Sequence, residues 1–310
     1  MPMALLLLTL AVLLLGPPLF VAAAVSLLRW YETENEPPCP IGAPCKDKKL
    51  RCALTGLLTC MASQMAAIGV FFLGYVPWLW RPAKNAARNK PAVILIHGLY
   101  HNPGAFIRFR RILRRAGFAR LYMPRYFSYG AKTFEEIAAD LRAQARAVIA
   151  TEGPVLFVGH SMGGLLIRAL CGDPVIAANT LGAVTLGTPH QGSKLAVLAF
   201  GASGRAITRH SPLIRRLAKA ERPMDVPRLS LASPMDDMVL PVGALTPPPG
   251  WELELTAPVG HVYMLYHAPV IRRVLRFLED AAGRTAPSVI HAAIPGTCQT
   301  LLAEDRRPPN

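Results

Sequence analysis

Short apolar runs alternate with amphipathic segments from about residue 91 to residue 282. The apolar runs are continuous rather than alternating, and a strand of that kind is buried on both faces, as in parallel sheets. Between them, apolar residues recur at helical spacing, and Thr133 with Glu136 forms the signature of a capped helix start. The pattern therefore predicts an α/β fold, a mostly parallel sheet with helices on both faces. Strands are expected at 92–96, 121–123, 155–158, 182–186, 228–231 and 252–255, and helices at 105–116, 134–150, 165–170, 212–220 and 262–278.

The first eighty residues carry a different pattern. No charged residue occurs in 3–28 or 52–80, and the second run ends on Trp78 and Trp80, which suit a membrane–water interface. Each run is long enough to cross a bilayer core of about 30 Å. We therefore expect a membrane anchor over residues 1–82, with transmembrane helices at about 3–28 and 53–80 joined by a polar loop. A cleaved signal peptide ending near residues 22–24 is the alternative interpretation of the first run.

The basic residues do not indicate which side of a membrane the rest of the chain faces. The loop at 29–51 and the stretch at 81–90 carry nearly equal numbers of Lys and Arg, so the positive-inside rule gives no orientation. The expectation is an integral membrane protein whose anchor contacts membrane lipids.

A net charge of +15 raises the question of a nucleic-acid partner. The arginines, however, are spread over amphipathic segments such as 105–116, which is typical of solvated helix faces. A basic surface beside an anionic bilayer is a further interpretation. The 6 cysteines match no zinc spacing, and Cys39 with Cys45 would either pair in an oxidising compartment or stay free thiols. We expect no nucleic-acid partner.

The strongest chemical signal is the sequence Gly159-His160-Ser161-Met162-Gly163, which lies between a predicted strand and a predicted helix. A Gly-x-Ser-x-Gly pattern in that place is typical of a nucleophile elbow, where the turn is too tight for side chains at the flanking positions. The serine then stands at a helix N-terminus, where free N–H groups favour developing negative charge. We predict that Ser161 is a nucleophile.

A nucleophilic serine needs a base and a group that orients the base. In this arrangement an acid follows a late strand and a histidine precedes the last helix. Asp236 and Asp237 follow the strand at 228–231, and His261 precedes the helix at 262–278. We predict Asp236 and His261, with Asp237 as the alternative acid. His267 is the rival base, but it falls inside the predicted helix.

An oxyanion formed at the serine would need two backbone N–H donors. Met162, directly after the nucleophile, is expected to supply one. Leu99 is expected to supply the other, because His97-Gly98 after the first predicted strand lets the backbone turn sharply. We interpret His97 as a residue that holds this loop by hydrogen bonding.

Two segments depart from the strand–helix alternation. Residues 190–225 consist of loop and helix, and they form either a lid over the site or an ordinary surface insertion. Residues 283–310 are rich in proline and without pattern, so we predict a flexible C-terminal tail. The globular domain is therefore expected at 83–282.

These motifs resemble the lipase and esterase branch of the α/β-hydrolase superfamily. The layout also resembles a group of bacterial membrane-bound α/β hydrolases with two N-terminal transmembrane helices, in which the acid stands in a Ser-x-x-Asp-x-x-Val context like that of 233–239. The run at 188–192 is similar to that of bacterial triacylglycerol lipases and glycosylphosphatidylinositol deacylases. The resemblance is carried by His97-Gly98-Leu99, Gly159-His-Ser-Met-Gly-Gly164, Thr188-Pro-His-Gln-Gly-Ser193, Asp236 and Gly260-His261.

The resemblance implies a serine hydrolase that cleaves carboxylic esters of lipid-like substrates at a membrane, the inner membrane of a bacterium. No carboxylate follows His261 where calcium-dependent lipases bind calcium, so no metal and no cofactor are expected. The same triad would also serve a thioesterase, an amidase or an acyltransferase, and a binding module without turnover is the alternative outside enzymes.

Overall fold

The computed structural model describes residues 3–35, 41, 49–71, 75–76 and 89–283. In this part of the chain, the strands are β1 (Ala92–Ile96), β2 (Leu121–Tyr122), β3 (Val155–His160), β4 (Thr180–Leu186), β5 (Arg228–Ala232) and β6 (Glu252–Leu255). They form one sheet in the order β2-β1-β3-β4-β5-β6, and every neighbouring pair is parallel. The predicted α/β class with a parallel central sheet is confirmed.

Helices cover both faces of this sheet. Val93 and Leu95 of β1 face one core and Ile94 and Ile96 face another, which explains why the strand is apolar throughout. The described helices are α1 (Met3–Asn35), α2 (Lys49–Phe71), α3 (Ile107–Arg115), α4 (Phe134–Glu152), α5 (Met162–Cys171), α6 (Pro174–Ala178), α7 (Gly201–Ala206), α8 (Pro212–Ala220) and α9 (Ala268–Ala282). Helices α3 and α9 pack on the first core, and α4, α5 and α8 pack on the second.

The two N-terminal helices contact each other, and α2 also contacts the domain that contains the sheet. It packs on 3₁₀ turns at Pro103–Phe106 and Val262–Leu265. In the part of the chain that the structure describes, no helix is long and apolar enough to cross a membrane. The predicted transmembrane helices at 3–28 and 53–80 are therefore not supported, and residues 72–74 and 77–80 of the second span lie outside the described part of the chain.

The closing helix begins later than the sequence pattern predicted. Residues Val262–Leu265 form a 3₁₀ turn, and α9 begins at Ala268 with Pro269 in its first turn. Proline suits that position because the first helical N–H groups have no acceptor within the helix. His267 is consequently the residue that precedes the helix rather than a residue inside it.

The segment predicted as a lid or insertion, residues 190–225, contains α7 and α8. Its C-terminal end is tied to the sheet by a buried ion network. The carboxylate of Glu221 lies 2.8 Å from Arg168 of α5 and 2.9 Å from Arg228 of β5. The predicted tail lies outside the described residues from residue 284 onward.

Candidate active site

Ser161 lies in the sharp turn between β3 and α5. Its backbone has φ 55° and ψ −125°, a conformation that costs free energy for any residue with a side chain. The flanking glycines are required for space. A Cβ on Gly159 would lie 2.7 Å from Gly164 N, and one on Gly163 would overlap the carbonyl oxygen of Ile96. The turn thus has the geometry expected from the Gly-x-Ser-x-Gly spacing.

The turn at Ser161 is held against β4 by hydrogen bonds in both directions. Ser161 N–H donates to the carbonyl oxygen of Leu186 at 2.9 Å, and the Thr188 hydroxyl donates to Ser161 O at 3.0 Å. Met162 is fully buried and is the first residue of α5. Its N–H therefore has no acceptor within the helix and is available to a bound oxyanion.

The predicted base and the predicted acid contact each other directly. His261 Nδ1 lies 2.8 Å from Asp236 Oδ2, and both side chains are buried. The other oxygen of Asp236 accepts the backbone N–H groups of Met238 at 2.9 Å and Val239 at 2.8 Å. Because a carboxylate is an acceptor, Nδ1 carries the proton and Nε2 is left free to accept one.

Asp237 has a different partner. Its Oδ1 accepts the backbone N–H of His261 at 2.5 Å and not a ring N–H. Burial, together with the negative charge of Asp236, raises the pKa of Asp237. The contacts therefore favour Asp236 as the residue that orients the imidazole of His261. Asp237 instead holds the backbone of His261.

The pKa of His261 reflects two opposing effects. Burial lowers it, because the charged imidazolium is poorly solvated there, but the charge and hydrogen bond of Asp236 raise it. The net result is a pKa above the ordinary value. A raised pKa makes the imidazole a stronger proton acceptor, as a general base requires.

His160 connects the nucleophile turn to the histidine loop. Its Nε2 donates to the carbonyl oxygen of His261 at 3.1 Å, and the centroids of the two rings lie 4.7 Å apart. Burial holds the pKa of His160 well below its ordinary value, so its ring stays neutral. Through this contact, Ser161 and His261 lie at the same edge of the sheet.

The loop after β1 reaches the nucleophile. A Cβ on Gly98 would lie 2.9 Å from Ser161 Cβ, so only glycine permits this approach. His97 is buried, stacks on Tyr126 with centroids 4.0 Å apart, and donates from Nδ1 to Gly98 O at 3.0 Å. Burial lowers the pKa of His97 to about 3, and the neutral ring serves as a structural support. Leu99, the predicted second donor, is the next residue of this loop.

Gly187 is a site residue that the sequence analysis did not single out. It has φ +55°, and a Cβ there would lie 3.0 Å from His261 Nδ1 and 3.1 Å from Asp236 Oδ2. The available signal was its place directly after β4, at the sheet edge where the other site residues follow their strands.

Two further histidines are placed elsewhere. His190 Nε2 lies 3.2 Å from the hydroxyls of both Thr185 and Ser230, and His267 precedes α9. Among the contacts that the structure describes, neither ring meets Asp236. Within residues 3–35, 41, 49–71, 75–76 and 89–283, no group of three or more His, Cys, Asp or Glu side chains is placed to hold a metal ion.

A family model described as "Alpha/beta hydrolase family" matches residues 93–309, well over half of the chain. The chain belongs to this family. The match begins inside β1, so α1 and α2 precede the part that the family model covers. A comparison with curated proteins gives no match.

Several solved structures are similar to this chain, and one of them, a lipase, shares the fold at a TM-score above 0.5. The mature form of the Bacillus licheniformis lipase BlEst2 gives a TM-score of 0.53 at 16% identity, covering 64% of this chain and 96% of that one. A monoacylglycerol lipase of Paleococcus ferrophilus gives 0.48 at 16% identity, with coverages of 62% and 96%. A carboxylesterase structure of Nitrososphaera gargenis gives 0.49 at 12% identity, with 64% and 93%.

Proposed function

We propose that this protein is a serine hydrolase that cleaves carboxylic esters through an acyl-enzyme on Ser161. The observation that carries the proposal is the 2.8 Å contact between His261 Nδ1 and Asp236 Oδ2, at the sheet edge where Ser161 occupies the sharp turn after β3. Membership of the alpha/beta hydrolase family supports a hydrolytic reaction of this class.

Each residue has a defined part in the proposed reaction. His261 Nε2 takes the hydroxyl proton of Ser161 as the serine oxygen attacks the ester carbonyl, and the N–H groups of Leu99 and Met162 stabilise the oxyanion. His261 then gives the proton to the leaving alcohol. Water, activated by the same base, releases the acid. Asp236 keeps the ring in the required tautomer and stabilises its charged form.

Covalent labelling with a fluorophosphonate probe tests the nucleophile. The samples are the full-length wild type, Ser161→Ala and Thr151→Ala. Thr151 is the matched control because its exposed hydroxyl donates to carbonyl oxygens of its own helix, α4. Loss of labelling in Ser161→Ala alone supports the proposal. Equal labelling of all three samples would assign the reactivity to another residue, and an unlabelled wild type would favour the binding-module alternative.

The leaving group is the next question, because the same triad acts on thioesters and amides. We expect the protein to turn over p-nitrophenyl esters and monoacylglycerols faster than acyl-thioesters or anilides of the same acyl chain. Product analysis in the presence of a second alcohol separates hydrolysis from acyl transfer. Faster turnover of the thioester or the anilide, or transfer of the acyl group to the second alcohol, would replace the ester assignment. The proposed acyl-enzyme on Ser161 would still stand.

We further propose that the substrate is lipid-like and is met at a lipid surface, in keeping with the inner-membrane location that the resemblance implies. Val197, Leu198 and Phe200 expose 65%, 71% and 77% of their surface, and the leucines at 5–8 are exposed as well. Neighbouring exposed apolar side chains are typical of a membrane or partner contact.

Activity on two forms of substrate tests the lipid surface. Leu198→Ser and Phe200→Ser should lower the rate on an ester embedded in vesicles while the rate on a soluble p-nitrophenyl ester stays unchanged. Val175→Ser, an exposed apolar position on α6, is the matched control and should affect neither rate. Equal effects of the three substitutions on both rates would contradict the proposed contact.

A further inference from the structure

Helix α2 contacts residues that precede and follow His261 in the chain. Gly260 approaches the helix so closely that a Cβ there would overlap Ser63 Oγ and lie 2.7 Å from the carbonyl oxygen of Thr59. Ser63 is fully buried, and its hydroxyl accepts the backbone N–H of Tyr263 at 3.1 Å. The position of the histidine backbone is thus defined by a residue of the N-terminal helix pair.

The same helix also reaches the second carboxyl of the site. The buried thiol of Cys60 faces the carboxyl of Asp237, and Asp237 accepts the N–H of His261. Cys60 and Ser63 are three residues apart and therefore adjacent on one face of α2. This face of α2 supports His261 through the residues on either side of it in the chain, Gly260 and Tyr263. It also supports the backbone N–H of His261 by way of Asp237.

The loop that carries the acid also packs against the N-terminal helices. Nη1 of Arg29, in α1, lies 2.6 Å from Met235 Sδ, and Met235 directly precedes Asp236. A Cβ on Gly56 of α2 would lie 2.6 Å from Met235 Cε. The acid loop is therefore packed against both N-terminal helices.

The oxyanion loop makes the third contact. Asn102 Nδ2 donates to the carbonyl oxygen of Phe71, the last residue of α2, at 2.7 Å, and Asn102 lies three residues after Leu99. The loops after β1, β5 and β6 each contact α1 or α2. Both helices lie outside residues 93–309, the part that the family model covers.

We propose that Ser63 is a positioning residue of the active site, which places His261 through the N–H of Tyr263 and through close packing on Gly260. The inference rests on the proposed function, because it requires His261 as the base. Ser63 touches no reacting atom and acts through the loop backbone. On this proposal α2 is part of the hydrolase site. If α2 served only as an anchor, loss of these contacts would not change turnover.

Kinetics of two variants of the full-length protein test this role. Ser63→Ala removes the acceptor, and Gly260→Ala forces the loop away from α2. A displacement of about 1 Å from productive geometry lowers turnover by about 10- to 100-fold, so we expect kcat to fall by that factor. KM for a soluble p-nitrophenyl ester should stay close to the wild-type value, because both substitutions act on the loop backbone and not on substrate binding. Thr9→Ala, which removes an exposed hydroxyl bonded to Leu5 O within α1, should change nothing.

The reaction of Cys60 with maleimide gives a measurement that is independent of catalysis. We expect Cys60 to be protected in the native wild type and to react faster in Gly260→Ala, as read by mass spectrometry of its peptide. Wild-type kcat in Ser63→Ala and Gly260→Ala would overturn the positioning role while Ser161 labelling upholds the hydrolase. If Ser63→Ala does not fold, the test rests on kcat of Gly260→Ala and on the protection of Cys60 from maleimide in the wild type. Rapid reaction of Cys60 in the native wild type overturns the proposal. An unlabelled wild type would instead mean that the proposed function itself has failed.

Discussion

Replacing Asp236 by asparagine should change the position of the proton on the His261 ring while leaving the conformation of the acid loop unchanged. Asparagine retains an Oδ1 that can accept the N–H groups of Met238 and Val239, so the loop should keep its conformation. The NH₂ group that replaces Oδ2 cannot accept from Nδ1–H, and His261 must then carry its proton on Nε2. In that tautomer the ring cannot take the proton of Ser161.

The expected loss is large and specific to this aspartate. We expect kcat of Asp236→Asn to fall by about 10³- to 10⁴-fold, or ~4–5.5 kcal/mol of transition-state stabilisation. Asp237→Asn is the matched control. Its side chain still has an acceptor for the N–H of His261, so we expect a loss of less than about tenfold. The assay is turnover of a soluble p-nitrophenyl ester, with thermal unfolding of each variant. Wild-type turnover in Asp236→Asn, or a greater loss in Asp237→Asn, would refute the assignment of the acid.

Three further predictions follow from burial and charge. The acidic limb of the kcat/KM profile should lie above pH 6.5, because protonated His261 cannot act as a base and its pKa is raised; a midpoint below 6.5 would contradict this. The pKa values of buried His97 and His101 are lowered to about 3 and about 4, so the unfolded chain protonates first as the pH falls below 6.5. The contribution of these two rings to the free energy of unfolding, followed by denaturant titrations, should therefore be fully present above pH 6.5 and fall toward pH 4, by about 1.4 kcal/mol per pH unit and histidine; a flat profile would show that these rings are solvated. Glu221→Gln should destabilise the fold by about 3 kcal/mol because two buried arginines lose their negatively charged partner, whereas the exposed Glu135→Gln should cost less than about 1 kcal/mol; equal melting temperatures would refute the buried network.

The nucleophile turn was predictable because its requirements are steric and local. The strand before Ser161, the helix after it and the two flanking glycines all lie within residues 155–171. The close contact of Gly163 with Ile96 is the exception, since it joins residues far apart in the chain. The parallel sheet was predictable for a similar reason, since burial on both faces leaves a continuous apolar run in each strand.

Other features of the site depend on contacts between distant parts of the chain. Asp236 and Asp237 are adjacent, and only the folded loop shows which carboxylate meets the ring of His261 and which meets its backbone. Gly187 carries no motif, although its positive φ and its distance from the imidazole make a side chain there unfavourable. The contacts of α2 with the site were not predicted because its apolar residues indicated a lipid environment, whereas Ser63 lies buried against the histidine loop.

The hydrogen bond between Ser63 and Tyr263 spans 200 residues of chain, which has a consequence during synthesis. A ribosome adds about 5–20 residues per second, so roughly 10–40 s pass between the appearance of the two partners. During that interval the docking face of α2 is without its partner and is a target for chaperones or for aggregation. The same delay means that the backbone beside His261 lacks its contact with Ser63 until both segments have been synthesised.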